Sequence, residues 1–283
     1  MRHLSQLILA LPLLLFSAIG MSAELNKAAL VSALMHQSGM DKQIDLIPAQ
    51  VKAGIRDSAR QGAPMDVVIQ DKLVAALNRQ SLNHDVQEYL VEEMSRDELQ
   101  QVLSWWESAL GKRVVTMEIK ASQPDSMVKM FNVFESERVR PGRLARIHRL
   151  DEAVLSKERT KDLMINMQVF FGMAMAAESG TSQRAGYGQT RYNMARAMAS
   201  MWGELEQVVT MLYLFTYQGL SDAALDRYIE FTESPVGRKY NQILYEGLSY
   251  AFANAGKSLR QSLKSACRAT RKGCDGKHPY PLV

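Results

Sequence analysis

The chain has 283 residues, 47% of them apolar and 23% charged, with a formal net charge of +4 at pH 7. This is the balance of a globular protein, long enough for one large domain or two small ones. The modest charge argues against a nucleic-acid partner.

The chain opens with Met1-Arg2-His3, followed by a nearly unbroken apolar run from Leu7 to Ile19 and polar sequence from Glu24 onward. This is the layout of a secretory signal peptide over residues 1–23, and the run is shorter than the ~20 residues of a membrane span. Cleavage after Ala23 competes with cleavage after Gly20, and an uncleaved anchor is the alternative to both. No cysteine lies near the cut, which argues against a lipoprotein. The location implied is the bacterial periplasm. Removing Arg2 with the leader leaves a net charge of +3.

Strand signals are scarce, with no sustained alternation of β-branched residues and no Asn-Gly turn. Helical spacing runs through the chain: Ile44, Ile47 and Val51; Val67, Val68, Leu73 and Leu77; Leu205, Val208, Val209, Leu212 and Phe215. The fold class expected is all-α: two related multi-helix units forming an array or bundle.

The duplication is legible residue by residue. Residues 94–118 and 220–244 align without a gap at an offset of 126. Ser95, Leu99, Glu107, Ser108 and Gly111 meet Ser221, Leu225, Glu233, Ser234 and Gly237; Trp105 meets Phe231, and Lys112-Arg113 meets Arg238-Lys239. Identity at caps and turns with similarity at apolar positions marks a repeated structural unit. Ser95 and Glu98 have the spacing of a capping box, and Ser221 is the matching cap, with Ala224 in place of the acid. Ser234-Pro235 restarts a helix, because proline is tolerated at the first helical position. Gly111 and Gly237 weaken helix propensity, so close approach of another backbone is the expected reason for them. Glu107 and Glu233 have the chemistry of catalytic carboxylates, but each stands alone, and a pairing with Arg113 or Lys239 that secures the turn is the expectation. The units are read as 24–137 and 143–274, joined at 138–142 around Pro141-Gly142, with a tail over 275–283 and an exposed loop over 179–189.

The pattern of a hydroxyl cap, an acid and a leucine, then an aromatic and Glu-Ser-Pro-x-Gly-Arg-Lys, resembles the bacterial domain of unknown function 2059. Residues 221–240 carry the resemblance well; residues 95–113 carry it with Ala109 in place of Pro235. The resemblance implies an exported, helical protein. It brings no catalytic residues and no cofactor.

Signatures of nucleophilic hydrolases, phosphate-binding loops, zinc proteases and dinucleotide binders are missing from the sequence. His84 and Glu88, and His148 and Glu152, are spaced one helical turn apart, which suits a solvated pair as well as two metal ligands. Met164, Met167, Met173, Met175, Met194, Met198, Met201 and Met211 crowd one stretch. Thioethers suit copper(I), a pliable core, or a groove for lipid or peptide. Met194, Met198 and Met201 share a helix face, which favours packing.

Charge is concentrated at the end. Residues 251–283 hold seven Lys/Arg and one Asp. Lys257, Arg260, Lys264, Arg268 and Arg271 form one stripe, with Leu259, Leu263 and Cys267 on another face. A basic amphipathic helix fits an anionic membrane or an acidic partner; the alternative is an ordinary solvated face. Arg143, Arg146 and Arg149 form a shorter stripe near the joint. Cys267 and Cys274, the only cysteines, are separated by six residues. An even count in an exported chain predicts a disulfide, although a redox or metal pair with His278 shares the composition. The expected function is that of a non-enzymatic envelope protein that docks a peptide, lipid or protein partner. An envelope hydrolase and a copper-binding protein are the alternatives.

Overall fold

The computed structural model describes residues 26–270, apart from 61, 63–64, 124–125, 127–128, 131–138, 155–157, 160, 163–164, 167–168, 170–186, 198 and 200–201. The fold is all-α, and no strand occurs among the described residues. A helix over 26–37 (α1) leads into α2 (Met40–Arg60), α3 (Val67–Ala76), α4 (Arg79–Glu93), α5 (Arg96–Glu107) and α6 (Ala109–Ala121). After the joint come α7 (Pro141–Val154), helical stretches within 158–169, α8 (Tyr187–Ala197), α9 (Trp202–Tyr217), α10 (Asp222–Glu233) and α11 (Pro235–Thr270). Residues 1–25, with the expected signal peptide, lie outside the described residues.

Local chemistry sets the boundaries. Gly39 has φ +71°, a left-handed conformation open to glycine at little cost, and it turns the chain between α1 and α2. Asp66 caps α3, accepting from the backbone N–H of Val68 and Ile69. That cap starts the helix at Val67 and so sets its phase. Ile69, Leu73 and Leu77 turn inward, whereas Val67 and Val68 are 67% and 58% exposed. The expectation that Val67 and Val68 belong to the apolar face is therefore corrected: they occupy the solvent side of the first turn, while Ile69 of the same turn faces inward.

The core is continuous across the joint. Val31, Leu34 and Met35 of α1, Leu73 of α3, Val86 and Leu90 of α4, Leu99 and Val102 of α5, Leu225 and Ile229 of α10, and Tyr240 and Leu259 of α11 belong to one buried cluster. The long α11 lies mainly against α4 and α3, elements of the first unit. Helix α10 packs on α7, and α9 on α6. The 138–142 joint thus does not separate two cores, because the last helix of the second unit covers the apolar faces of the first.

Candidate functional site

The repeated hairpins supply the best-defined geometry. Ser95 and Glu98 make the full capping box: the Glu98 backbone N–H donates to Ser95 Oγ (3.3 Å), and the Ser95 N–H donates to Glu98 Oε2 (2.8 Å). Ser221 Oγ accepts from the Ala224 N–H at 3.3 Å. Ser108 and Ser234 each end one helix and cap the next, accepting from the N–H of Gly111 (3.0 Å) and Gly237 (3.1 Å). In each copy the second helix starts so close to the end of the first that a side chain cannot fit. A Cβ on Gly111 would lie 2.4 Å from the Trp105 carbonyl oxygen, and one on Gly237 would lie 2.0 Å from that of Phe231.

The hairpins face each other. Trp105 stacks on Phe231 with centroids 4.1 Å apart and planes 9° apart. These are equivalent positions of the repeat. In a pair of copies related by a local twofold, residues that meet their own equivalents lie beside the axis. Crossed polar contacts agree: Lys239 donates to both oxygens of Glu98 (2.8 and 2.7 Å), while Arg113 donates to the Gly219 carbonyl just before the Ser221 cap. Each copy's basic residue thus reaches the start of the other copy's first helix. This corrects the expected pairings of Glu107 with Arg113 and Glu233 with Lys239. Glu107 is exposed at the hairpin tip. Glu233 is gripped by Arg149, whose Nε and Nη2 donate to its two oxygens at 2.7 and 2.5 Å.

That contact belongs to a ladder between α7 and α10. Arg143, 8% exposed, donates to Asp222 Oδ1 at 3.0 Å and to the Tyr217 carbonyl. Arg146 donates to Asp226 Oδ1 at 2.8 Å. Hydrogen bonding from Arg143 lowers the Asp222 pKa, and Arg149 lowers that of Glu233. The stripe of Arg143, Arg146 and Arg149 is spent inside the fold, on carboxylates that recur along one face of α10.

Sequence reasoning missed a buried acid. Tyr217 and Tyr228 both donate to Glu118 Oε1, at 2.7 and 3.1 Å. Glu118 is half-buried as a residue, but its carboxyl end is enclosed. Burial raises its pKa, and the two tyrosine hydroxyls only partly counter this. Burial and the Glu118 charge push both tyrosines well above the ordinary range, so they remain neutral donors. Tyr240 is enclosed nearby, its hydroxyl facing Ser38 and Trp106, although Trp106 Nε1 makes no hydrogen bond of good geometry. The signal available in the sequence was phase: Glu118 follows the buried Val114 by one turn of α6. A general acid or base must reach a substrate proton. Here the hydroxyls that reach the carboxylate are the protein's own, so the arrangement bridges α6, α9 and α10.

The remaining candidates separate. His84 and Glu88 form an exposed pair at 3.2 Å. Among the described residues, no group of three or more His, Cys, Asp or Glu gathers as metal ligands. Of the methionine stretch, Met211 is half-buried; the side chains of the other seven lie outside the described residues. So do those of Lys264, Cys267 and Arg268, together with all of Arg271 and Cys274, and hence the expected disulfide. Pro235 opens α11 as expected, and Lys257 and Arg260 are exposed along it. Among the described residues, no helix is long and apolar enough to cross a membrane. No protein-family model matches the chain, and no curated protein or solved structure is detectably similar to it.

Proposed function

We propose that this is an exported, non-enzymatic helical interaction protein of the bacterial envelope, held to an anionic surface by α11. The observation that carries the reading is the contrast between the two basic stripes. Arg143, Arg146 and Arg149 are neutralised by Asp222, Asp226 and Glu233 within the fold. Lys257 and Arg260 instead face outward, opposite the buried Phe252, Ala255, Leu259 and Leu263. Among the described residues no carboxylate lies within ion-pair distance of either; Lys257 donates only to the neighbouring Asn254 amide oxygen (3.1 Å). The leader-like residues 1–23 and the motif resemblance at 95–113 and 221–240 support export to the periplasm.

Cell fractionation tests the reading. K264E/R268E should fold like the wild type, yet move the protein from the envelope fraction to the soluble one. A basic residue near an anionic bilayer contributes about 1 kcal/mol, so two reversals should weaken association at least ~25-fold. Unaltered fractionation would remove the basic helix from the function.

A further inference from the structure

The exposed stripe of α11 is not only basic. At about 100° per residue, Tyr250, Ala253, Lys257 and Arg260 fall within one arc of about 80°. All four are exposed, Tyr250 at 42%. The opposite side of the same turns is buried, through Ala251, Phe252, Ala255, Leu259 and Leu263. The helix continues to Thr270, so positions 264 and 268 share the phase of the stripe. From Tyr250 to that end it spans about 30 Å.

Tyr250 is held in place rather than left free. Its ring rests against Tyr89 of α4, with centroids 5.8 Å apart. The Tyr89 hydroxyl donates to Glu246 Oε2 at 3.1 Å. Tyr89 also packs over Gly247, where an added Cβ would meet the Tyr89 Cβ at 3.4 Å and its ring at 3.5 Å, an ordinary van der Waals contact. Glu246, the acid one turn before Tyr250, is therefore already engaged by Tyr89 and by Gln242.

We infer that this stripe is a contact surface for an anionic lipid bilayer, with α11 lying along the headgroups and Tyr250 anchoring its upstream end. The inference rests on the proposed docking role and names its partner. Charge complementarity selects an anionic surface. A straight row of cations headed by an amphipathic ring suits a continuous sheet of headgroups, where tyrosine places its ring among the glycerol and acyl carbons and its hydroxyl in water. The stripe carries no carboxylate in its sequence with which to single out one acidic protein.

The test uses the mature chain, residues 24–283, with vesicles of phosphatidylcholine alone and of phosphatidylcholine with phosphatidylglycerol. The wild type should bind the anionic vesicles and not the neutral ones, and K257E/R260E should bind at least ~25-fold more weakly. Y250A should weaken binding about fivefold, which is what ~40 Å² of ring surface removed from water supplies, and Y250W should restore it. Thermal unfolding of each variant checks that the fold is kept. If the wild type binds neither vesicle, the bilayer contact fails; if K264E/R268E also leaves envelope fractionation unchanged, the docking reading fails with it. If the wild type binds and K257E/R260E weakens it but Y250A leaves affinity unchanged, docking survives and the tyrosine-anchored bilayer contact is overturned.

Discussion

Gly237→Ala should destabilise the protein by about 1–2 kcal/mol, the net of a backbone clash of up to about 3 kcal/mol and a helix-propensity gain of up to about 1 kcal/mol. Alanine normally improves a helical position by up to about 1 kcal/mol. Here the added carbon would lie 2.0 Å from the Phe231 carbonyl oxygen and 2.9 Å from its carbon. Both are backbone atoms at the end of α10 and cannot rotate away as a side chain would. Relief requires the α10–α11 corner to open. That corner also holds the Ser234 double cap and the ring of Phe231 against Trp105. Gly111→Ala should behave likewise, since its Cβ would meet the Trp105 oxygen at 2.4 Å and Trp106 backbone at 2.8 Å. Gly54 is the control: it lies in α2 with nothing within 4 Å of an added Cβ. Gly54→Ala should be neutral or stabilising by up to ~1 kcal/mol. Urea unfolding midpoints read all three. A Gly237→Ala protein as stable as Gly54→Ala would mean that the corner is not as tight as drawn.

Glu118 should make the protein lose stability as pH rises, and Glu118→Gln should remove that loss. Burial raises the folded pKa of Glu118 above its unfolded value near 4.5. The folded chain therefore holds the proton more tightly than the unfolded chain. Its contribution is complete below the unfolded pKa and is lost as pH climbs through the folded one. The loss is about 1.4 kcal/mol for every tenfold difference in proton affinity between the two states. The facing groups do not reverse the sign. Tyr217 and Tyr228 are neutral donors, Tyr240 is a neutral neighbour, and Arg143 spends its charge on Asp222 and the Tyr217 carbonyl. Glu98, Asp222 and Glu233 act the other way, because their lowered pKa values add stability that disappears as pH falls through the folded values. Thermal midpoints from pH 3 to 8 should thus show an acid limb common to both proteins and a high-pH decline confined to the wild type. Parallel curves for wild type and Glu118→Gln would refute the assignment. Glu118→Leu is expected to be worse than either at every pH, since two buried hydroxyls lose their acceptor at about 1–3 kcal/mol each.

What the sequence by itself determined is what depends on neighbours along the chain. Helix class followed from apolar spacing, and the Ser95 capping box from residues three apart. The Ser108 and Ser234 corners, and a close backbone approach at Gly111 and Gly237, followed from the same short-range pattern repeated at a constant offset. Phase within α3 was misjudged because Val67 and Val68 resemble Ile69 in hydropathy, and only the Asp66 cap decides which of them faces inward.

The tertiary structure decided every pairing between distant residues. A basic side chain has several carboxylates within reach of its stem, and the choice depends on which helix lies opposite. Lys239 thus reaches Glu98 instead of Glu233, and Arg149 takes Glu233. Two basic stripes of similar spacing have opposite fates for the same reason: α7 lies against the acidic face of α10, while the Lys257–Arg260 side of α11 faces away from the core. Glu118 was not singled out in the sequence because its enclosure depends on α9 and α10, which place Tyr217 and Tyr228 against it, and burial is a property of the packed chain written in no single residue.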